Sequence, residues 1–219
     1  NRIKHRIDKT WQPRTSEGSL QRYFDVDRVD MSSGEWLVLA RTKHMLKEVE
    51  DVLHRKGLYY ETRNKRSYEK DIQEAATDWE HLRQGQLLTY KQVEKIYGYM
   101  SPEHKDKKLM QGMTKGSFYG IDQLTKDFGL KTKKVWFEAF DDAGSRRINY
   151  LRKMRGNGEH LNKKPRIELS TIHAAKGGEC QNVVLLTDLT KTTLETYHKN
   201  PDDENRLFYV GATRTKENL

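Results

Sequence analysis

The sequence predicts an α/β fold in which a parallel sheet is interrupted by an all-helical insertion. Strand and helix patterns alternate over residues 20–62 and again over 166–219. Such alternation is typical of parallel sheets, because each crossover connection places a helix on a sheet face. We therefore predict three segments: the first part of the sheet domain at 1–65, the insertion at 66–160, and the second part of the sheet domain at 161–219.

The first part of the predicted sheet is clearest at residues 36–40. Trp-Leu-Val-Leu-Ala is a continuous apolar run that follows Gly34, which indicates a buried parallel strand. Arg41 and Thr42 follow it, and Thr42 is placed to cap a helix that Gly57 ends. Two shorter strands are predicted, at 20–24 and 59–62.

The insertion has helical spacing of apolar and aromatic residues, with glycines between the helices. It also carries three basic clusters, near residues 105–108, 131–134 and 146–155. Because acidic residues are interleaved with them, these clusters indicate either a solvated face or a surface that contacts a nucleic-acid duplex.

Composition narrows the classes of partner. The 219-residue chain has 41 Lys and Arg against 32 Asp and Glu, which gives a net charge of +9 and favours a polyanionic partner. A single cysteine excludes an internal disulfide and a cysteine-based zinc site. No apolar run approaches the length of a membrane span, so we expect a cytoplasmic protein without a membrane partner. The chain begins without Met, and we expect it to be a domain of a longer protein.

The region after the insertion contains the most informative loop. Residues 167–170 predict a buried strand, and 183–186 predict the next one. The loop between them carries six polar or flexible residues: Thr171, His173, Lys176, Gly177, Gly178 and Glu179. The two glycines let the backbone approach a ligand closely, and Lys176 supplies a charge for phosphate. Thr171 and His173 can hydrogen-bond a second polar partner, although an ordinary solvated connection has the same residue types.

The C-terminal segment predicts a helix with one unusual residue on its apolar stripe. Pro201 takes the first helical position, and three acidic residues follow in the first turn. Four residues then share one face at helical spacing: Leu207, Val210, Gly211 and Arg214. A charge in line with a buried face needs a partner. Arg214 is therefore expected either to cap the last helical carbonyls or to reach across a domain cleft to a nucleotide phosphate.

Two strings in this order carry a family resemblance. Thr-Ile-His-Ala-Ala-Lys-Gly at 171–177 and Leu-Phe-Tyr-Val-Gly-Ala-Thr-Arg at 207–214 resemble motifs V and VI of the UvrD/Rep-type superfamily 1 DNA helicases. The strand at 36–40 and the arginine after it resemble the opening of the second RecA-like domain in the same family. The match covers about 20–62 and 166–219, and the insertion takes the position of the family's mobile subdomain.

The resemblance implies a RecA-like domain of an ATP-dependent DNA helicase that moves 3′ to 5′ on single-stranded DNA. ATP and Mg²⁺ would be held mainly by an N-terminal RecA-like domain of the same protein, and no metal ligand is expected in this chain. The DNA partner would be a single strand or a junction of single and double strands.

Site residues carry over position by position. Arg214 matches the arginine finger that reaches the γ-phosphate, and it is the expected catalytic residue. Lys176, Gly177 and Glu179 match residues that face the nucleotide and the domain interface, whereas Thr171 and His173 match residues on the DNA backbone. Arg41 and Thr42, which follow the strand at 36–40, are also expected to contact DNA. For Arg41, a surface salt bridge at the strand end is an equal alternative.

Departures from the family pattern leave two other functions open. No Gly-Lys pair occurs, so the chain has no P-loop and cannot be a complete ATPase. The family's Leu-Glu-Phe after Lys-Gly is replaced by Gly178-Glu179-Cys180. The alternatives are the helicase part of a helicase-nuclease and a non-catalytic nucleic-acid-binding module with a degenerate RecA-like fold.

Overall fold

The computed structural model describes residues 17–63, 65–175 and 177–219. In this part of the chain the strands are β1 (Trp36–Ala40), β2 (Tyr60–Thr62), β3 (Lys65–Arg66), β4 (Leu88–Thr89), β5 (Phe118–Tyr119), β6 (Ile167–Thr171), β7 (Cys180–Leu185) and β8 (Thr215–Asn218). The α-helices are α1 (Leu46–Lys56), α2 (Lys70–Arg83), α3 (Tyr90–Gly98), α4 (Lys107–Met110), α5 (Ile121–Asp127), α6 (Trp136–Ala139), α7 (Ser145–Gly156), α8 (Lys191–Lys199) and α9 (Pro201–Ala212).

The chain divides into two compact units. One contains the described residues up to Ser67 together with Glu159–Leu219, and the other is Tyr68–Gly158. The boundaries between the units, after Ser67 and after Gly158, lie within a few residues of the predicted segment boundaries. The assignment of these segments as domains of a larger enzyme stays a prediction.

The first unit is built on a six-stranded sheet in the order β3-β2-β6-β1-β7-β8. All neighbouring strands are parallel except β3, which runs antiparallel to β2 at one edge. The parallel α/β prediction is therefore confirmed. Strand β1 lies between β6 and β7, with Ala40 opposite Thr171 and Leu37 opposite Val183.

The predicted strand at 20–24 is wrong. Ser19 makes an isolated parallel bridge to Asn218, and the Gln21 N–H donates to the Leu219 carbonyl at 2.8 Å, but no strand forms over 20–24. Leu20 and Phe24 are exposed, so the alternating pattern there has no buried face to cover. The edge of the sheet is formed instead by β8, a strand that the sequence pattern did not indicate because three of its four residues are exposed and polar.

Helix α9 covers one face of this sheet. The apolar cluster on that face has four buried residues: Leu37, Leu39, Ile172 and Val183. Leu207, Phe208 and Val210 of α9 pack against it. The helix approaches closely at Gly211, where a Cβ atom would lie 2.9 Å from Leu185 Cδ1 and 3.5 Å from Ile172.

Helix α1 ends as predicted and begins differently. Gly57 lies at φ +69°, and its N–H donates to the carbonyl of His54, so it terminates the helix in the left-handed region that favours glycine. Thr42 does not cap α1. A 3₁₀ turn at Lys43–Met45 intervenes, and the Thr42 side chain makes no capping hydrogen bond.

The second unit is mainly helical, but the all-helical prediction is wrong. Strands β4 and β5 form a short antiparallel ribbon with Leu88 opposite Tyr119. Both side chains are buried, so the ribbon contributes to the core before each strand leads into a helix. Two-residue strands are too short to show a period-2 pattern. Within the described part of the chain, none of the helices combines the length and apolar composition that a membrane span requires.

The packing of α9 generates a stability prediction. Gly211→Ala and Gly98→Ala gain the same helix propensity, but a Cβ at Gly98 would meet no atom within 4 Å. We expect Gly211→Ala to be less stable than Gly98→Ala by about 1–3 kcal/mol, the usual cost of overpacking. Urea unfolding followed by far-UV circular dichroism measures the difference. Equal free energies of unfolding would show that α9 does not depend on the close approach.

Candidate functional site

The four predicted DNA contacts come together at the carboxyl edge of the sheet. Arg41 and Thr42 directly follow β1, Thr171 ends β6, and His173 lies two residues further on. Strands β1 and β6 are parallel neighbours, and the Ile172 N–H donates to the Ala40 carbonyl at 3.0 Å. Parallel strands bring their carboxyl ends to one edge, and that is where open α/β sheets bind ligands.

Thr171 shapes the turn at this edge. Its carbonyl accepts hydrogen bonds from the N–H groups of Ala174 at 2.9 Å and Ala175 at 3.0 Å. Its Oγ1 accepts a longer one from Ala174 at 3.4 Å. His173, which lies between Thr171 and Ala174 in this turn, is exposed. A hydroxyl and an imidazole are therefore presented by a short, hydrogen-bonded segment.

Arg41 is held by an ion pair. Its Nε and Nη2 donate to the two carboxylate oxygens of Glu204, in the first turn of α9, at 2.8 and 2.9 Å. The Glu204 side chain is only 8% exposed and that of Arg41 is 25% exposed. The hydrogen bond to Glu204 raises the pKa of Arg41 above its ordinary value. This geometry is the salt bridge that the sequence left open, although it is partly buried and not at the surface.

Glu204 is the site residue that the sequence analysis missed. In the sequence, Glu204 is one of three acidic residues in the first turn of a helix, where the helix dipole alone explains it. Its spacing gave a signal, because Glu204, Leu207 and Gly211 are separated by three and four residues and so share the buried stripe of α9. A carboxylate on that stripe requires a cationic partner.

The predicted nucleotide residues lie at the opposite, amino edge. Gly177, with φ +94°, and Glu179 precede β7, and Arg214 precedes β8. The Arg214 carbonyl accepts from the N–H of Cys180 at 2.9 Å, which joins the starts of the two strands. Glu179 forms an ion pair with Lys216 at 3.9 Å. Lys176 lies outside the described residues.

The Arg214 guanidinium donates only to uncharged oxygens. Its Nε reaches the Val210 carbonyl at 3.0 Å, which is the capping arrangement expected as one alternative. Nη1 donates to the Gly178 carbonyl at 3.3 Å, and Nη2 donates to Thr213 Oγ1 at 3.2 Å. Among the residues described here, no carboxylate lies within ion-pair distance of Arg214. The half-buried cation is therefore tied to the 177–179 loop and has no anionic partner in the described chain.

A cavity opens beside this loop at the amino edge. Six of its lining residues come from β1, from the residues around β6 and from the loop before β7: Trp36, Arg166, Glu168, Ala175, Gly178 and Cys180. Burial raises the pKa of the Cys180 thiol above its ordinary value. Of the predicted nucleotide residues, Glu179 lines this concave surface, whereas the predicted DNA residues lie at the other end of the strands.

The C-terminal part of the chain is similar to a known protein family. Residues 137–219 match the family model described as the UvrD-like helicase C-terminal domain. The matched range contains both strings that carried the resemblance, at 171–177 and 207–214. Neither the comparison with curated proteins nor the comparison with solved structures found a match. The resemblance predicted from the sequence is therefore confirmed for the C-terminal part of the chain.

The raised pKa of Cys180 predicts that its thiol is alkylated slowly near neutral pH. Because only the thiolate reacts with iodoacetamide, a raised pKa lowers the alkylation rate at pH 8. We expect the rate in the folded chain to rise at higher pH than in the urea-unfolded chain. Mass spectrometry of alkylation between pH 7 and 10 measures both profiles, and Cys180 is the chain's single cysteine. A folded profile at or below the unfolded one would contradict the prediction.

Proposed function

We propose that this chain, whose residues 137–219 match the model of the UvrD-like helicase C-terminal domain, is the second RecA-like domain of an ATP-dependent DNA helicase. The observation that carries the proposal is the placement of two residue sets on one sheet. Polar residues at the carboxyl edge suit a nucleic-acid backbone, and the arginine and glycine loop at the amino edge suit a nucleotide. One loop, 172–179, runs from the first edge to the second.

On the nucleotide side, Arg214 supplies positive charge for a phosphate. Its donors are satisfied by neutral oxygens, so an anionic ligand would offer a stronger, charge-assisted partner. A Cβ at Gly177 would meet no atom within 4 Å, which leaves room for a ligand beside the loop. Both features fit a triphosphate held mainly by another domain. ATP and Mg²⁺ would be bound there, and Arg214 would stabilise the charge that develops during phosphoryl transfer.

Glu179 and Lys176 complete the proposed nucleotide side. Glu179 pairs with Lys216 at 3.9 Å and both side chains are about half exposed, so this pair is weak and can open to a ligand. Lys176 supplies a second charge in the same loop, and it follows the exposed turn that begins at Thr171.

On the DNA side, Thr171 and His173 are the proposed contacts to the backbone of a single strand. The exposed imidazole and the hydroxyl hydrogen-bond phosphate or sugar oxygens without reading bases, as a translocase requires. Arg41 and Thr42 line the same edge. The net charge of +9 supports a polyanionic partner, and the 3′ to 5′ direction and the single- to double-strand junction rest on the family resemblance.

Closure of a cleft against an N-terminal RecA-like domain would use both edges at once. Movement of this unit toward bound nucleotide brings Arg214 to the phosphate and moves Thr171 and His173 along the strand. Hydrolysis and stepping would then share one moving interface. The same geometry serves a helicase-nuclease, which would differ by a nuclease domain. A non-catalytic module would need no charge at Arg214.

Loss of the arginine tests the catalytic role. In the full-length protein, Arg214→Ala should lower ATP turnover by about 10³-fold or more, as expected for an arginine finger. Binding of single-stranded DNA should stay within about twofold, since the contacts at the other edge are intact. Coupled ATPase kinetics and fluorescence anisotropy measure the two quantities. Arg22→Ala, on an exposed arginine, is the control. Normal turnover in Arg214→Ala would rule out the catalytic role of Arg214, whereas absence of turnover in the wild-type protein would support a non-catalytic module.

Changes at the carboxyl edge test the DNA role. We expect the double variant Thr171→Val and His173→Ala to weaken binding of a labelled oligo-dT by about tenfold, because two backbone contacts are lost. Affinity should fall log-linearly with salt in all variants. Exposed His198 on α8 provides the control His198→Ala. Anisotropy titrations in which only Arg214→Ala weakens binding would place the strand at the other edge.

A further inference from the structure

We propose that the ion pair between Arg41 and Glu204 is a positioning contact that couples the carboxyl edge of the sheet to Arg214 through α9. The inference rests on the proposed function and assigns to Arg41 a task other than direct contact with DNA.

The pair fixes orientation as well as distance. Two parallel N–H···O bonds at 2.8 and 2.9 Å hold the Arg41 guanidinium and the Glu204 carboxylate in one relative geometry. Glu204 is almost completely buried, and Arg41 directly follows the central strand β1. A buried pair of this kind contributes little net stability, and its best supported use is to specify one arrangement among several.

Helix α9 extends the effect of the pair to the amino edge. Glu204 and Arg214 are ten residues apart, about 15 Å at the rise of an α-helix. Between them, Gly211 lies against Ile172, the residue that follows Thr171 in the turn at the carboxyl edge. At its far end, α9 leads into Arg214, whose carbonyl is hydrogen-bonded to Cys180. A helix held at its first turn and in contact with the Thr171 turn transmits a shift of either to Arg214.

The residues that directly follow Arg41 and Glu204 in the sequence each have a buried side-chain atom without a hydrogen-bond partner in the described chain. The two atoms are Thr42 Oγ1 and Asn205 Nδ2. Buried polar atoms are normally hydrogen-bonded, so this arrangement is incompletely satisfied. Because both atoms are shielded from solvent, they would gain partners only through a small movement of α9 or of the residues after β1. The pair therefore lies where binding of a strand is able to change the position of the helix.

Hydrogen exchange in this chain tests the coupling without ATP. The Cys180 amide, bonded to the Arg214 carbonyl, reports the far end of α9. We expect saturating oligo-dT to slow its exchange by about fivefold in the wild type and to leave it unchanged in Glu204→Gln. Asp202→Asn is the matched control, because it removes a charge from the same helical turn at a more exposed carboxylate. It should respond as the wild type does.

A second measurement separates coupling from a structural role. In the full-length protein, the ratio of ATP turnover with oligo-dT to turnover without it should fall about fivefold in Glu204→Gln and in Arg41→Lys. In Glu204→Gln, the dissociation constant for oligo-dT should stay within about twofold of the wild-type value. The exchanged pair Arg41→Glu with Glu204→Arg should restore part of the ratio.

Three outcomes would overturn the inference. The first is a wild-type Cys180 amide that does not respond to oligo-dT, whether or not the oligonucleotide binds. The second is an equal loss of basal and DNA-stimulated turnover, which indicates a merely structural pair. The third is weaker DNA binding in Arg41→Lys but not in Glu204→Gln, which makes Arg41 a DNA ligand. The proposed function fails separately, through normal turnover in Arg214→Ala.

Discussion

The structure of the first unit depends on the parallel pairing of β1 with β6 on one side and β7 on the other. Strand β1 is separated from both partners by more than 120 residues of sequence, so the sheet forms only when two distant segments meet. Parallel pairing then fixes which residues share an edge. Arg41 and Thr171 share an edge because Ala40 is in register with Thr171. A slip by one residue would turn each apolar side chain to the opposite face.

The elements that the sequence predicted well are those with strong local signals. The run at Trp36–Ala40 is apolar at every position, and Gly57 is the residue that a left-handed helix end requires. The elements that were wrong depend on tertiary partners. The segment at 20–24 has an alternating pattern but exposed side chains, and β4 and β5 become strands only because they meet each other.

The candidate site shows the same division. The residue types and their order around Thr171 and Arg214 could be read locally, and the family match contains both. The sequence did not indicate that Thr171 and Arg214 lie at opposite edges of the sheet. Their separation depends on the connection from the end of β6 to the start of β7. Glu204 was missed for a related reason. An acidic residue in a first helical turn has an adequate local explanation in the helix dipole, and only the fold shows that it is buried against Arg41.

The two arginines of the site illustrate how burial decides the use of a charge. Arg41 has a buried carboxylate as a partner, so its charge is committed within the protein and serves to hold α9. Arg214 has only carbonyl and hydroxyl partners in the described chain, so its charge remains available to an anion. Because α9 begins beside the first arginine and ends beside the second, the committed charge determines where the available charge is presented. Under the proposed function, a domain that acts on nucleotide only when DNA is in place would gain from such an order, since Arg214 would be positioned through the edge that would hold the strand.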